Sequence, residues 1–379
     1  MKVRLTDANF PRTADRRVYH LGIRPGEVAN RIITLGSPSR AHGVASYLDP
    51  SPTPFVLSSE RGFLTITGRY KAVPVSIVAI GMGHPNADFF VREVRECLSG
   101  DMVVIRRVRI RVFPPAAPAD IVRRLGSCGG LRDFPVGTIV APKGSIAVSR
   151  NYDFDFVAGG VTDGAAPYRL SKPVLADPAL HDAVVSALHE TKPAEITTPI
   201  VSDTLNASAD SFYSSQGRQT SFPDHNEALI AQITGTHDDV ATLEMETFHI
   251  LHLAKCWVPD PEPAPVSAPA PPHHAATAPS IPPPAPPATQ TAVPSPSSPV
   301  VIAGGSEEKR PRIRAASAQM VFASRTSRDF ITPEDVAARE AWTGRAMLEA
   351  LVRLELDPEM LHEESGSVWE VKGVDAVAR

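Results

Sequence analysis

The stretch VATLEMETFHILHL, Val240–Leu253, combines the two patterns that decide the fold. Val240–Met245 is short and mostly apolar, as in a buried strand, and Glu246 begins a pattern of helical length that continues to Cys256. Two carboxylates, Glu244 and Glu246, lie where the strand gives way to the helix. Because burying a carboxylate is costly unless something pairs with it, both side chains need partners elsewhere in the chain.

The same alternation of short apolar runs and helical patterns recurs along the chain. The predicted strands are Ile32–Leu35, Val75–Ile80, Met102–Ile105, Ile139–Ala141, Ile196–Val201, Val240–Met245 and Ala318–Ala323. The predicted helices are Asn86–Leu98, Pro178–His189, Glu246–Cys256 and Pro333–Leu354, the last with Thr332 as its N-cap. Strands that alternate with helices indicate a layered α/β sheet, in which ligands bind beyond the carboxyl ends of the strands.

Composition excludes several classes of protein. The 379 residues carry a net charge of -4 with no long basic run, so nothing suggests a nucleic-acid or membrane partner. The first twenty residues lack the apolar core of a secretion signal, and no apolar run approaches the roughly 20 residues of a membrane span. Three widely spaced cysteines argue against a disulfide framework or a zinc site. We therefore expect a cytoplasmic protein without a metal.

Two segments interrupt the α/β pattern. Residues 257–300 are rich in proline and read as a disordered insertion, either a passive surface loop or a ligand for an SH3-like partner. Residues 107–123 separate two versions of one strand ending, Val104–Arg106 and Val122–Arg124. A sheet can use only one of them, so we predict an added segment, either a natural loop or an error in the predicted coding sequence. Arg106 and Arg124 compete for the same position.

Three arginines near glycine turns are candidates for binding an anion. LGSPSR, Leu35–Arg40, and RRLGSCGGL, Arg123–Leu131, each place an arginine beside a turn whose backbone N–H groups can approach a phosphate. Arg61, in SSERGF, has the pattern of an ordinary surface arginine. AIGMGHPNADFF, Ala79–Phe90, adds a Gly-x-Gly turn between a strand and a helix, but it is not a dinucleotide fingerprint because the third glycine is missing.

A polar and aromatic loop, Asp210–Gln219, contains a candidate for reading a planar heterocycle. Gln216 and Arg218 are two residues apart and point the same way in an extended segment, where an amide and a guanidinium can meet a ring's polar edge. Phe212 could supply a packing face. Glu246 could then bind the two hydroxyls of a ribose. Alternatively it is an acidic first-turn residue favoured by the helix dipole, with Glu244 in a salt bridge.

Taken in order, these motifs resemble the uridine phosphorylase branch of the nucleoside phosphorylase family. The matching segments are VYHLG (18–22), GSPSR (36–40), SERGF (59–63), GMGHP (81–85), RLGSCGG (124–130), FYSSQGR (212–218), EMET (244–247) and FASRTS (322–327). The Gln-x-Arg pair separates this branch from purine phosphorylases, which typically have a late aspartate where this chain reads Ser324-Arg325-Thr326.

The resemblance implies a fold, a reaction and a set of site residues. The fold is a single three-layer α/β/α domain with a mixed, twisted central sheet, formed here by residues 1–256 and 301–379. The reaction is phosphorolysis of uridine, with inorganic phosphate as co-substrate, no cofactor and a dimer-based homo-oligomer, up to a hexamer. The resemblance places Gly36, Arg40, Arg124 and Ser127 on phosphate, joined by Arg61 of a neighbouring subunit. It places Phe212, Gln216, Arg218, Met245, Glu246 and Arg325 on the nucleoside, joined by His20 of the neighbour.

Of these residues, Arg124, Gln216, Arg218 and Glu246 would carry the catalysis. The family more often has threonine where Ser127 stands, which keeps the hydroxyl. Two alternatives stay open at this point. One is a purine-directed phosphorylase, and the other is a family member that binds nucleoside but is inactive because of the segment 107–123. Sequence leaves undecided whether uridine, deoxyuridine or thymidine is preferred.

Overall fold

The computed structural model describes residues 4–109, 130–159, 165–259, 310–322 and 331–371. Contacts within the chain group Met1–Trp257 with Pro311–Arg379 as one compact unit and Val258–Arg310 as another. All helices and strands named below belong to the first unit. The Pro-rich segment lies outside the described residues from residue 260 onward, and its predicted character stays a prediction.

Fifteen strands and six α-helices form the described part of this unit. The strands are β1 Leu5–Thr6, β2 Arg12–Thr13, β3 Arg31–Leu35, β4 Phe55–Ser58, β5 Leu64–Tyr70, β6 Val73–Ala79, β7 Met102–Arg109, β8 Ile139–Val140, β9 Gly144–Arg150, β10 Tyr168–Leu170, β11 Val174–Leu175, β12 Ile200–Val201, β13 Leu205–Ala209, β14 Val240–Glu244 and β15 Ile313–Met320. The helices are α1 Pro38–Ala45, α2 His84–Arg95, α3 Pro178–Glu190, α4 Leu229–Thr236, α5 Thr247–Cys256 and α6 Pro333–Arg353.

The strands form two main sheets and a small two-stranded one. The larger sheet has eight strands in the order β12-β8-β15-β7-β3-β6-β5-β4. Its centre, β15-β7-β3-β6, is parallel, whereas β4 and β5 pair antiparallel at one end. The second sheet has the order β10-β9-β13-β14, with β11 also paired to β9. This mixed sheet with helices packed against it confirms the α/β fold class predicted from the sequence.

The core lies where the central parallel strands are covered on both faces. Ile33 of β3 is in register with Ile77 of β6 and Ile105 of β7, and all three are fully buried. Burying each side chain stabilises the fold by roughly 1.5–3 kcal/mol. Strands buried on both faces read as continuous apolar runs, which is why the sequence predicted the positions of β3, β6 and the first half of β7.

The long C-terminal helix begins as the sequence predicted. Thr332 is the N-cap of α6, and its side chain accepts a hydrogen bond from the backbone N–H of Asp335. No helix in the described part of the chain is long and apolar enough to cross a membrane.

Two predicted strands were wrong in their bounds. In the predicted strand Ile196–Val201, only Ile200–Val201 is extended, because Ile196 closes a turn by donating its N–H to the carbonyl of Pro193. The strand predicted at Ala318–Ala323 begins earlier and runs over Ile313–Met320. Its basic start misled the prediction, since Arg314 is held in the sheet by an ion pair with Asp177, 2.9 Å away.

Strand β7 continues past the predicted start of the added segment at residue 107. It runs to Arg109 and stays in register with β15 over its whole length. Residues 107–109 are therefore part of the central sheet, and residues 110–123 lie outside the described residues.

Candidate active site

Glu244 is buried and fully occupied by donors from this chain. One of its carboxylate oxygens accepts hydrogen bonds from Asn206 Nδ2, at 2.7 Å, and from the hydroxyl of Ser208. The other accepts from the backbone N–H groups of Glu246 and Thr247, both at 2.9 Å. The carboxylate therefore joins β13 to the turn after β14 and holds the backbone of Glu246 in place.

Glu246 follows that turn and faces a different set of partners. Its Oε1 accepts from the backbone N–H of Gly83 at 2.6 Å, and its Oε2 accepts from Arg106 Nη2 at 2.7 Å. Burial raises the pKa of this carboxyl group, while the Arg106 guanidinium opposes that shift. A carboxylate has about four lone-pair positions, so two remain for further donors.

Arg106 lies on β7, the strand next to β3, and only 2% of its surface is exposed. Its Nη2 pairs with Glu246, whereas Nε and Nη1 are buried and have no hydrogen-bond partner among the described residues. A buried guanidinium nitrogen without an acceptor is unusual in a folded protein. The side chain is thus held at one end and has capacity for an anion at the other.

The turn after β3 brings a second arginine to the same place. A Cβ built on Gly36 would lie 3.0 Å from Arg40 Nη2 and 3.9 Å from Arg106 Nη2. It would also lie 3.2 Å from the carbonyl oxygen of Gly81. A side chain at this point would crowd the Gly81 carbonyl and the Arg40 guanidinium, so glycine permits the close approach of this turn. Ser37 orients Arg40, whose Nε donates to the Ser37 hydroxyl at 3.0 Å.

The loop after β13 builds a flat, charged unit from the predicted residues. Arg218 Nη1 donates to Gln216 Oε1 at 2.8 Å and to the carbonyl oxygen of Phe212. Its guanidinium carbon lies 3.7 Å from the centre of the Phe212 ring, in cation–π geometry. Gln216 and Arg218 are almost completely buried, so this loop is not the solvated segment that its polarity suggests.

The topology brings this loop and Glu246 to the same edge of the second sheet. β13 and β14 are parallel neighbours, with Ser208 in register with Glu244, and both functional segments follow directly at the carboxyl ends. His84, the first residue of α2, lies close to both. Burial lowers the pKa of its imidazole, and the charges of Asp210 and Glu246 oppose that shift.

His20 and Arg61 form a separate cluster at the surface. His20 Nδ1 lies 2.6 Å from Glu93 Oε1, and its ring stacks on Phe89 with ring centres 3.7 Å apart. Arg61 is exposed, donates to the Tyr19 hydroxyl and lies over the Tyr19 ring at 4.5 Å. Tyr19 contacts both residues, and within the described ranges neither of them contacts Glu246 or Arg106.

The remaining predicted residues divide into two groups. Met245 is half-buried beside Glu246. Arg124, Ser127 and Arg325 lie outside the described residues, and their roles stay predictions. Within the described ranges, no group of three or more His, Cys, Asp or Glu side chains could hold a metal ion.

Sequence reasoning missed several residues that shape the site. Gly83 lies in a motif that the sequence did single out, and its φ of 98° explains the glycine. Asn206 and Ser208 gave no signal, because the strand LNASA lacks the apolar pattern that marks a buried strand. Their polar side chains are buried because Glu244 accepts hydrogen bonds from them.

Comparison with known proteins shows the family of this chain. The sequence profile of the phosphorylase superfamily matches residues 30–256, and the chain belongs to this superfamily. Its function is that of a nucleoside phosphorylase, an enzyme whose substrates are a nucleoside and phosphate.

Individual relatives differ in the nucleoside they use. A uridine phosphorylase from Thermococcus kodakarensis is 25% identical over 264 residues, which is 68% of this chain and 79% of the relative. A DeoD-type purine nucleoside phosphorylase from Roseobacter denitrificans is 27% identical over 162 residues, 39% of this chain and 60% of the relative.

One solved structure matches over most of the chain. It comes from a study of two diverse uridine phosphorylases in the oomycete Phytophthora capsici, with 32% identity and a TM-score of 0.69. The match covers 93% of this chain and all of the other. The fold and the family of this chain are therefore settled by comparison.

Proposed function

We propose that this chain catalyses the phosphorolysis of uridine to uracil and ribose 1-phosphate. The observation that carries the proposal is the unit formed by Phe212, Gln216 and Arg218 at the same sheet edge as Glu246. An amide and a guanidinium fixed against each other can hydrogen-bond the carbonyl and N–H edge of uracil. The same groups stabilise negative charge as it develops on the leaving base.

The phosphate site is assigned to the carboxyl ends of β3 and β7. We assign the central role to Arg106, because its buried Nε and Nη1 have no partner among the described residues and it lies beside Gly36 and Arg40. Two positive charges and fixed donors around a dianion make a preorganised electrostatic clamp. The predicted roles of Arg124 and Ser127 concern the same clamp and are not tested by the described residues.

The sugar site is assigned to Glu246 and Met245. Gly83 and Arg106 occupy two of the four lone-pair positions of the Glu246 carboxylate, so two remain for the 2′- and 3′-hydroxyls of ribose. This position puts the sugar between the arginine clamp and the base loop. Holding both reactants in line replaces an encounter of two molecules by a reaction within one complex.

The reaction then needs no covalent intermediate with the enzyme. As the C1′–N1 bond lengthens, its electron pair moves onto uracil, and a phosphate oxygen forms the new bond to C1′ from the opposite side. Arg106 and Arg40 hold the attacking phosphate, while Gln216 and Arg218 hold the departing base. Arg61 and His20 act in the site of a neighbouring subunit, and both side chains reach the surface, where Arg61 is exposed and His20 is half-buried.

Product analysis tests the proposal. Uridine with phosphate should release uracil and ribose 1-phosphate, and omission of phosphate should stop the release. Equally fast release without phosphate would make the enzyme a nucleosidase and would contradict the arginine assignment.

A second candidate function is purine phosphorolysis, which the DeoD-type relatives favour. It is tested by inosine in the same assay. Faster turnover of inosine than of uridine would overturn the assignment of Gln216 and Arg218 as a uracil reader. The predicted role of Arg325, which is to hold Arg218 or the base in position, would be overturned with it.

The borrowed residues have their own test. Subunits with Arg61→Ala and subunits with Glu246→Gln should each be weakly active alone. After unfolding and refolding together, some sites combine an intact Arg61 with an intact Glu246, and activity should rise. No rise in a mixture that demonstrably forms mixed oligomers would place Arg61 outside the neighbour's site.

A further inference from the structure

Three polar residues form a row across the centre of the large sheet. Arg106 of β7 is in register with Thr34 of β3 on one side and with Ser317 of β15 on the other. In-register neighbours on parallel strands present their side chains to the same face, with Cβ atoms roughly 5 Å apart. The Arg106 side chain is therefore flanked by two hydroxyl groups.

All three residues are buried and incompletely hydrogen-bonded. Thr34, Arg106 and Ser317 are 0%, 2% and 1% exposed. Thr34 Oγ1, Ser317 Oγ, and Nε and Nη1 of Arg106 have no partner among the described residues. Most buried polar groups in proteins do have one, so four such atoms in a single row need a physical explanation.

Two observations show that the row faces the active site. Gly36 lies two residues after Thr34, and a Cβ on it would point toward Arg106 Nη2 at 3.9 Å. Gln319 lies two residues after Ser317, and its Nε2 donates to the hydroxyl of Thr247 at 3.4 Å. Thr247 directly follows Glu246. The row thus includes the arginine assigned above to phosphate and lies next to Glu246, the carboxylate assigned to the sugar.

We propose that Thr34 and Ser317 are positioning residues that hold the Arg106 guanidinium from the two neighbouring strands through shared, ordered water. The proposal rests on the proposed function, because it assigns Arg106 to phosphate. A buried water molecule typically makes two to four hydrogen bonds, so a water that accepts from the single N–H of Arg106 Nε can also bond one of the two hydroxyls and a second water that reaches the other. With Nη2 on Glu246 and Nε held from the sheet, Nη1 is directed at the anion.

Loss of either hydroxyl should weaken the binding of phosphate more than the binding of the nucleoside. Without that restraint, the guanidinium can move closer to Glu246, and its remaining N–H groups are then poorly oriented for hydrogen bonds to phosphate. We expect Thr34→Val and Ser317→Ala each to raise the KM for phosphate about tenfold, the usual effect of one hydrogen bond to a charged group. The KM for uridine should change less than about twofold.

The sheet contains a matched control. Thr65 of β5 is also fully buried, and its hydroxyl has no partner in the described ranges, but it lies two strands away from β3. Thr65→Val is the same nearly isosteric change without contact to Arg106, so its kinetics should stay unchanged. Thr34→Ser keeps the hydroxyl and should restore the KM for phosphate.

The experiment measures steady-state kinetics and the rise in thermal unfolding temperature caused by inorganic phosphate. A selective rise in the KM for phosphate in Thr34→Val and Ser317→Ala supports the inference. Equal behaviour of Thr34→Val and Thr65→Val, or failure of Thr34→Ser to restore the KM, overturns it.

The thermal measurement separates this inference from the proposed function. If the unmodified protein binds phosphate but does not cleave uridine, the proposed function is wrong. The inference about Thr34 and Ser317 is then tested by how much phosphate raises the unfolding temperature of the variants. Equal stabilisation by phosphate in all variants, or none in the unmodified protein, overturns the inference.

Discussion

Replacing Glu246 by glutamine should show that Glu246 and Glu244 have different functions. The substitution keeps the size of the side chain and removes its charge. One oxygen, which now accepts from Gly83 or Arg106, becomes an NH2 group, and the remaining carbonyl can no longer serve two protein donors and two ribose hydroxyls. We expect the loss chiefly in the transition state, where the sugar carries positive charge.

The size of the effect follows from the hydrogen bonds at stake. A hydrogen bond to a charged group contributes roughly 1.5–3 kcal/mol and a neutral one roughly 0.5–1.5 kcal/mol. Weakening the bonds to two ribose hydroxyls therefore costs roughly 2–3 kcal/mol, or roughly a hundredfold in kcat/KM for uridine. With 2′-deoxyuridine only one hydroxyl remains, and the same substitution should cost roughly tenfold.

The assay is the loss of ultraviolet absorbance as uridine becomes uracil, with both substrates tested in the unmodified enzyme and the variant. Glu244→Gln is the control. An amide at that position faces four donors, so the free energy of unfolding should fall, while kcat/KM of the folded protein should fall less than in Glu246→Gln. Equal losses for uridine and 2′-deoxyuridine, or a larger loss in folded Glu244→Gln, would refute the assignment of Glu246 to the ribose hydroxyls.

Four further substitutions test other parts of the molecule. Arg218→Lys keeps the charge but loses the fork that meets Gln216, and kcat for uridine should fall roughly a hundredfold, as measured by uracil release. Arg106→Lys should raise the KM for phosphate at least about tenfold. Arg107→Lys is its control, because Arg107 lies on the opposite face of β7 and hydrogen-bonds helix α6. This variant should keep the kinetics of the unmodified enzyme and have a lower free energy of unfolding. Burial and the neighbouring imidazole of His84 lower the pKa of His249 to about 4, against about 6.5 when unfolded. The unfolded state thus binds more protons between these values, so the free energy of unfolding should fall as pH drops from about 6.5 to 4, and denaturant titrations of His249→Gln should show a weaker fall.

The reach of sequence reasoning can be judged from the base loop and the sugar carboxylate. Residue type and spacing made Gln216, Arg218 and Glu246 candidates, and the family resemblance assigned them to the nucleoside. The structure brings them to the carboxyl ends of two adjacent strands. That adjacency was not predictable, because β13 reads as LNASA and offers no apolar run. Asn206 and Ser208 of this strand are polar because they hydrogen-bond Glu244. The residues that the site requires therefore replace the apolar run by which a buried strand is predicted.

The competition between Arg106 and Arg124 shows a second limit. Sequence presents two equivalent strand endings, and only the register of β7 with β3 and β15 puts Arg106 opposite Thr34 and Ser317. Register is set by long-range pairing, since a slip of one residue would turn the arginine to the face that Arg107 now occupies. A slip in one direction would put Ile105 opposite Thr34 and leave Glu246 without a guanidinium partner from β7, and a slip in the other direction would put Arg107 there and take it from its partners on α6. The chemistry assigned to this protein therefore depends on one strand register that no local motif encodes.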